Sequence, residues 1–266
     1  MAKKDGRIVA AENETRVLRA LHRFGWLRTR DLAALLWCTP WQRHPIAPPS
    51  FVPVVASDSG LRMAQYTLRR LADTRQVLHG RGPDGSVLYA LAEAGTRRLR
   101  QIGVPAVSGK DIVRGFSSAH FRHRTVANEI AIAAITQGFR VGTEREIAQD
   151  RWFGGASGIA GKKPDVLLND RGNITWVEVE KSAKRKADFE RLVVWVAKVG
   201  NDARRPSGSA LLGDGLRWNR LVFICTPAFE AKLRRALAAA GWLPELLDAF
   251  VSFATALYTF EDISFA

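Results

Sequence analysis

Residues 163–181, KPDVLLNDRGNITWVEVEK, contain two apolar segments that the sequence predicts as neighbouring β-strands. A polar turn over residues 170–173 separates them, and Asp165 opens the first strand. Side chains along a strand alternate between its two faces, so Glu178 and Glu180 share one face of the second strand, about 7 Å apart. Carboxylates on an apolar strand are costly to bury unless a cation or a hydrogen-bond donor meets them.

The three acids of this predicted hairpin are candidates for a metal site. Asp165 lies at the start of the first strand, next to the two glutamates of the second. Converging carboxylates suit Mg²⁺, which binds oxygen ligands. We therefore predict that Asp165, Glu178 and Glu180 hold a metal ion, and a solvated acidic surface is the other interpretation.

This pattern resembles the core of the PD-(D/E)XK nucleases. In that family an aspartate on one strand and a glutamate on the next hold the metal, and a lysine two residues after the glutamate positions the attacking water. Asp165, preceded by proline, and Glu178 match the first two elements, which implies a PD-(D/E)XK-like α/β core with a mixed sheet. Position 180 carries Glu180 in place of the lysine. Lys181 comes one residue late and Lys184 lies beyond the strand, so the resemblance implies the fold but not cleavage.

The composition of the chain is strongly basic. Of its 266 residues, 47% are hydrophobic, and 40 Lys and Arg oppose 26 Asp and Glu, which gives a net charge of +14. A chain this basic usually meets a polyanion, and nucleic acid is the first candidate. The sequence predicts neither a membrane span nor a signal peptide. Because only Cys38 and Cys225 are present, we expect reduced thiols and a cytoplasmic protein.

The positive charge is concentrated in the first part of the chain. Residues 1–105 hold 17 Lys and Arg against 8 Asp and Glu, whereas the remainder holds 23 against 18. We therefore expect residues 1–105 to bind the polyanion.

Three helices are predicted in this first part. Residues 13–25 place apolar side chains at helical spacing and end at a glycine, and a second helix over residues 31–36 follows Thr29 as its N-cap. Residues 40–57 contain five prolines and predict an extended loop. The third helix is predicted over residues 59–75.

The third helix has the side chains that a DNA recognition helix needs. Arg62, Gln65 and Arg69 recur at spacings of three and four, opposite the apolar residues of the helix. In the major groove, arginine pairs with guanine and glutamine with adenine. An ordinary solvated basic face is the alternative interpretation.

A hairpin is predicted directly after this helix. Residues 77–79 and 87–91 form its strands, and its glycine-rich tip, residues 80–85, carries Arg81, which we expect to contact phosphate or the minor groove. Over residues 12–103, this order of elements resembles the winged helix-turn-helix domains of bacterial regulators. The resemblance implies a domain that binds double-stranded DNA, with docking of another protein as the alternative.

The rest of the chain predicts a second domain, which makes the protein a two-domain α+β or α/β chain. Residues 106–117 form a linker between a first domain, residues 1–105, and a second, residues 118–266. Around the acidic hairpin, the sequence predicts a helix over 118–136, a strand over 139–147, a helix over 184–199, a strand over 220–226, a helix over 227–241 and a final apolar segment over 249–260.

The helix predicted over residues 118–136 carries three polar residues of interest. His120 and His123 are three apart and have the spacing of metal ligands, but surface roles or contact with phosphate are the simpler interpretation. Glu129 resembles a glutamate that some PD-(D/E)XK domains place on the helix before the sheet, with a solvated acid as the alternative.

Together the two halves resemble the replication-relaxation family of bacterial plasmids and integrative elements. The core of that family shows Pro-Asp and then Glu-x-Asp-Arg, and residues 164–165 and 178–181 match it with conservative changes. The resemblance implies a sequence-specific protein that binds double-stranded DNA in replication, mobilisation or transcriptional control, associated with the nucleoid or a plasmid. A homodimer is compatible with it, and we expect a nuclease-like domain that no longer cleaves.

The alternative function is a Mg²⁺-dependent DNA endonuclease. In that hypothesis Asp165, Glu178 and Glu180 hold Mg²⁺, and Lys181 or Lys184 replaces the missing lysine.

Overall fold

The computed structural model describes residues 5–38, 41–114, 118–180 and 185–255. The chain is a mixed α+β protein that forms two units. The first unit contains the described residues up to Gln42 together with Pro53–Thr136, and the second contains Arg43–Val52 and the described residues from Gln137 on. None of the described helices has both the length and the apolar character that crossing a membrane requires.

The first unit alternates helices with short strands. Its elements are α1 (Gly6–Phe24), β1 (Trp26–Arg28), α2 (Thr29–Trp37), α3 (Asp58–Asp73), β2 (Val77–Arg81), β3 (Val87–Leu91), α4 (Glu93–Gln101), α5 (Lys110–Arg114) and α6 (Ser118–Thr136). Strands β1, β3 and β2 form an antiparallel sheet in that order. The sequence did not predict β1, because all three of its residues are buried and no alternation marks so short a strand.

The first three helices pack their apolar faces together. The buried side chains of α1 include Leu18 and Leu21, and those of α3 include Leu68 and Leu71. Each buried leucine stabilises the unit by about 1.5–3 kcal/mol relative to an exposed one. This packing fixes the rotation of α3 about its axis and leaves its opposite face in solvent.

Helix α6 belongs to the first unit, although the sequence predicted it in the second domain. Phe121 stacks on Trp26 with ring centroids 5.3 Å apart, and the Asn128 side chain donates to the Trp26 carbonyl at 3.2 Å. Because α6 is buried around most of its circumference, its periodicity could not indicate which elements it contacts. The structure thus divides the chain after α6 and not at the predicted linker, residues 106–117.

The second unit is built on one mixed sheet, as predicted. Its elements are β4 (Arg140–Gly142), α7 (Glu144–Ala148), β5 (Val166–Asp170), β6 (Asn173–Glu180), α8 (Lys186–Ala203), β7 (Arg217–Cys225), α9 (Pro227–Ala239), α10 (Pro244–Phe250) and β8 (Val251–Ala254). The sheet order is β4-β5-β6-β7-β8, antiparallel from β4 to β6 and parallel from β6 to β8.

The strand predicted over residues 139–147 is wrong in its second half. Only β4 is a strand, and α7 begins directly after Thr143. The Thr143 hydroxyl accepts a hydrogen bond from the Glu146 N–H at 3.2 Å, and the Glu146 carboxylate accepts one from the Thr143 N–H at 3.0 Å. This reciprocal capping box starts a helix where the apolar pattern suggested a continuing strand. Of the predicted final segment, residues 256–260 lie outside the described part of the chain.

The core of the second unit is rich in tryptophan. The Trp176 ring of β6 lies 4.9 Å from that of Trp195 on α8 and 5.9 Å from that of Trp218 on β7, between centroids. Trp176 shares its strand face with Glu178 and Glu180, since side chains alternate along β6. The two glutamates therefore project from the same side of the sheet as this aromatic core.

Residues 43–52 connect α2 to α3 but belong to the second unit. The Gln137 side chain accepts a hydrogen bond from the Ser50 N–H at 2.8 Å and donates one to the Ser50 carbonyl at 2.7 Å. Gly138 has a φ of +89°, and a Cβ there would lie 2.6 Å from the His44 backbone. Glycine is required at this position because the segment passes so closely over it.

Candidate functional site

Helix α3 presents the predicted base-contacting residues to solvent. The Ser57 hydroxyl accepts a hydrogen bond from the Gly60 N–H at 3.1 Å and caps the amino end of the helix. Arg62, Gln65 and Arg69 are all exposed and follow one another at spacings of three and four, so they share one face. The structure therefore brings these three predicted residues together on an accessible surface, which we call the α3 face.

The charged side chains around the α3 face have distinct contacts. The Arg69 guanidinium lies 5.9 Å from the centre of the Tyr66 ring, within the range of a cation–π interaction. Arg70, on the flank of the face, pairs with Glu14 of α1 at 2.8 Å. Arg70 thus ties α3 to α1, and it is not part of the predicted contact set.

The β2–β3 hairpin places Arg81 at its exposed end. Arg81, which was predicted in the tip of the hairpin, is instead the last residue of β2, where it pairs with Val87 and is exposed. The turn that follows is ordered by Asp84, whose carboxylate accepts from the Ser86 N–H at 3.0 Å and the Ser86 hydroxyl at 2.6 Å.

A buried arginine connects this hairpin to the helices. Arg28 donates from Nε and Nη2 to Asp31, both at 2.8 Å, and from Nη2 to Glu129 of α6 at 2.7 Å. Asp84 of the hairpin turn lies 3.9 Å from the Arg28 Nη1. Burial alone would lower the pKa of Arg28, but the attraction of Asp31 and Glu129 outweighs it and the net shift is upward. Glu129 is therefore a partner of a structural arginine, which is neither of the two roles that the sequence suggested.

The predicted acidic hairpin forms a charged cluster in the second unit. Glu178 is buried, and its two carboxylate oxygens accept from the Lys162 ammonium and from the Trp176 indole N–H, each at 2.5 Å. The Asp165 carboxylate accepts a hydrogen bond at 2.7 Å from the backbone N–H of Val179. Glu180 is also buried, one step further along the same strand face.

The pKa values of Glu178 and Lys162 in this cluster both lie above their ordinary values. Burial raises the pKa of Glu178 to about 7; Lys162 opposes the rise, and Asp165 and Glu180 add to it. Burial acts to lower the pKa of Lys162, but attraction to Glu178 prevails and the net shift is upward. A carboxylate with such a pKa exchanges its proton near neutral pH, which is the property that a general acid or base requires.

The cluster does not fit a Mg²⁺ site. Both oxygens of Glu178 accept hydrogen bonds, and the Lys162 ammonium lies 2.5 Å from one of them, so a cation at this carboxylate would meet a positive charge. Among the described residues, no group of three or more Asp, Glu, His or Cys side chains is arranged to hold a metal ion. The described structure therefore gives no support to the metal site predicted at Asp165, Glu178 and Glu180, since a lysine of the chain provides the positive charge beside Glu178. Among the described residues, His120 and His123 are not part of such a group either.

Lys162 is the functional candidate that sequence reasoning missed. It lies before β5, where residues 159 and 162 form an isolated antiparallel bridge that turns the chain back toward β6. Two lysines precede Pro164 in the sequence, but their spacing does not indicate which of them reaches Glu178. Lys181 and Lys184, the predicted replacements for the missing lysine, lie outside the described residues.

Comparisons of the chain with protein-family models, with curated proteins and with solved structures find no match. The basis for a functional assignment is therefore the geometry of the α3 face, the hairpin and the acidic cluster.

Proposed function

We propose that the protein binds double-stranded DNA through its first unit. In this proposal α3 lies in the major groove and the β2–β3 hairpin contacts the neighbouring phosphates or the minor groove. The observation that carries the proposal is the α3 face, on which Arg62, Gln65 and Arg69 project together into solvent.

Two further observations support DNA as the ligand. The order α1–β1–α2–α3–β2–β3, with the sheet order β1-β3-β2, is the arrangement expected of a winged helix-turn-helix domain. Residues 1–105 also hold most of the excess positive charge of the chain, which favours a polyanion as partner. The resemblance to the replication-relaxation family extends the proposal to replication, mobilisation or transcriptional control of a mobile element.

For the second unit we propose a nuclease-like arrangement that does not cleave. The Lys162 ammonium neutralises Glu178 within the unit, so a metal ion at this carboxylate would have to compete with that contact. The endonuclease hypothesis has one observation in its favour, because Lys162 supplies a lysine that the sequence motif lacks at position 180. Nicking of supercoiled plasmid with Mg²⁺ or Mn²⁺ that is lost in Asp165→Ala would favour the endonuclease.

The DNA-binding proposal is tested by selecting duplexes from a randomised library with the full chain and measuring affinity by fluorescence anisotropy. Arg62→Ala combined with Arg69→Ala is expected to weaken binding of the selected duplex by about thirtyfold or more, since each bidentate arginine–guanine contact contributes about 1–3 kcal/mol of discrimination. Both side chains are exposed, so the thermal unfolding transition should not change.

A matched control is Arg19→Ala combined with Arg97→Ala. These arginines are also exposed but lie on α1 and α4, so the control removes the same charge without changing α3. Equal losses of affinity in both double variants would indicate a general charge effect and would contradict a groove contact by α3.

A further inference from the structure

The α3 face carries two apolar side chains among its arginines. Tyr66 is 58% exposed and Met63 is 38% exposed, and they are three residues apart, so their side chains are neighbours. Single exposed apolar residues are ordinary on protein surfaces. Here, however, Tyr66 follows Arg62 by four residues and precedes Arg69 by three, which places the ring directly beside the charged row, between the two arginines along the helix.

The packing of α3 fixes this arrangement. The buried residues of the helix, among them Ala64, Leu68 and Leu71, lie on the opposite side, so α3 cannot rotate to cover Tyr66 without exposing its own core. The Arg69 guanidinium over the Tyr66 ring further limits where the ring can lie. The α3 face therefore combines donors for base edges with an apolar patch directly beside them.

The major groove offers one apolar group that matches such a patch. Each base pair with thymine presents a C5-methyl group beside hydrogen-bond acceptors, and apolar side chains contact that methyl group. We propose that Tyr66, with Met63 beside it, contacts the C5-methyl group of a thymine and so determines part of the sequence preference. This inference rests on the proposed binding of double-stranded DNA.

The test replaces thymine by deoxyuridine, which pairs identically but lacks the methyl group. In a duplex selected by the full chain, each thymine is replaced in turn. The wild type is expected to bind at least one substituted duplex about fourfold more weakly, which is the contribution of one buried methyl group. Tyr66→Ala should bind the thymine and deoxyuridine duplexes equally, whereas Tyr66→Phe, which keeps the ring, should retain the discrimination.

The outcomes separate this inference from the proposed function. If the wild type binds no duplex, both are overturned. If it binds but no replacement of thymine weakens binding, or if Tyr66→Ala still discriminates, the methyl contact is overturned and DNA binding stands. A dimer of the wild type that dissociates in Tyr66→Ala, measured by light scattering, would assign the two side chains to a contact between copies of the chain and would also overturn it. Met63→Ala provides a second variant, expected to reduce the fourfold discrimination.

Discussion

The Lys162 ammonium and the Glu178 carboxylate form a partly buried ion pair, in which each charge compensates the other. Glu178 is buried, so its charge is unfavourable unless a cation or donors compensate it. The folded-state pKa of Glu178, about 7, lies above its ordinary value, so the folded protein binds a proton more tightly than the unfolded chain does. The contribution of this group to stability is therefore largest at acidic pH and declines as the pH rises toward 7.

Replacing the lysine should enlarge this dependence on pH. We expect Lys162→Met to destabilise the protein by about 2 kcal/mol or more at pH 8, because it leaves the buried Glu178 charge without its ion-pair partner. At pH 5.5, about 1.5 pH units below the pKa of Glu178, protonation of that carboxyl should make the loss smaller. Denaturant unfolding at the two pH values measures both effects.

The adjacent lysine provides the control for this prediction. Lys163 pairs with Asp150 at the surface, at 2.6 Å, and exposed ion pairs contribute about 0–1 kcal/mol. Lys163→Met should therefore change stability little at either pH. Equal effects of the two substitutions, or a loss in Lys162→Met that does not depend on pH, would show that the contact with Glu178 does not stabilise the fold.

The sequence predicted that Glu178 and Glu180 share a strand face, but it did not predict that Lys162 contacts Glu178. Alternation along β6 placed Glu178 and Glu180 on one face, because that inference needs only the local strand period. The approach of Lys162 depends on how the segment before β5 turns back, and this is set by contacts that no local pattern encodes.

Helix α6 is the element whose contacts differ most from expectation. The sequence predicted its position along the chain, but its apolar residues surround the helix and give no preferred face. Its contacts within the first unit include the ring of Phe121 and the polar side chains of Asn128 and Glu129. Such single polar contacts across distant segments cannot be derived from periodicity.

Neutralising Glu129 tests the contribution of this attachment. Glu129→Gln should destabilise the protein by about 1–3 kcal/mol, since the buried guanidinium of Arg28 loses a charged acceptor. Glu190→Gln, at an exposed position of α8, is the control and should lie within about 0.5 kcal/mol of the wild type. Chemical denaturation gives both values, and equal stability of Glu129→Gln and the wild type would indicate that α6 is held by apolar contacts alone.

The division of the whole chain follows from α6. A fragment that ends after residue 136 keeps the Trp26–Phe121 stack and the Arg28–Glu129 pair, whereas one that ends after residue 105 loses both. We expect the longer fragment to unfold in a cooperative transition and the shorter one to unfold at a clearly lower denaturant concentration, since it exposes Trp26 and leaves Arg28 with fewer partners. Circular dichroism during urea titration distinguishes them, and coincident transitions would restore the boundary at residues 106–117.

The basic character of the whole molecule predicts how binding responds to salt. If α3 and the hairpin contact phosphates, the logarithm of the association constant should fall linearly with the logarithm of salt concentration. Arg81→Ala should lower affinity for all duplexes similarly and reduce the magnitude of the slope by about 1, as for one lost phosphate contact. An unchanged slope in this variant would remove the hairpin from the interface.

The central claim is that α3 lies in the major groove of a duplex, and dimethyl sulfate footprinting tests it most directly because guanine N7 lies in that groove. In a duplex selected by the full chain, we expect bound protein to protect one or more guanine N7 atoms, and Arg62→Ala or Arg69→Ala to restore the reactivity of a particular guanine at protein concentrations that still saturate the duplex. Saturated binding with every guanine N7 as reactive as in free DNA would contradict the placement of α3 in the groove.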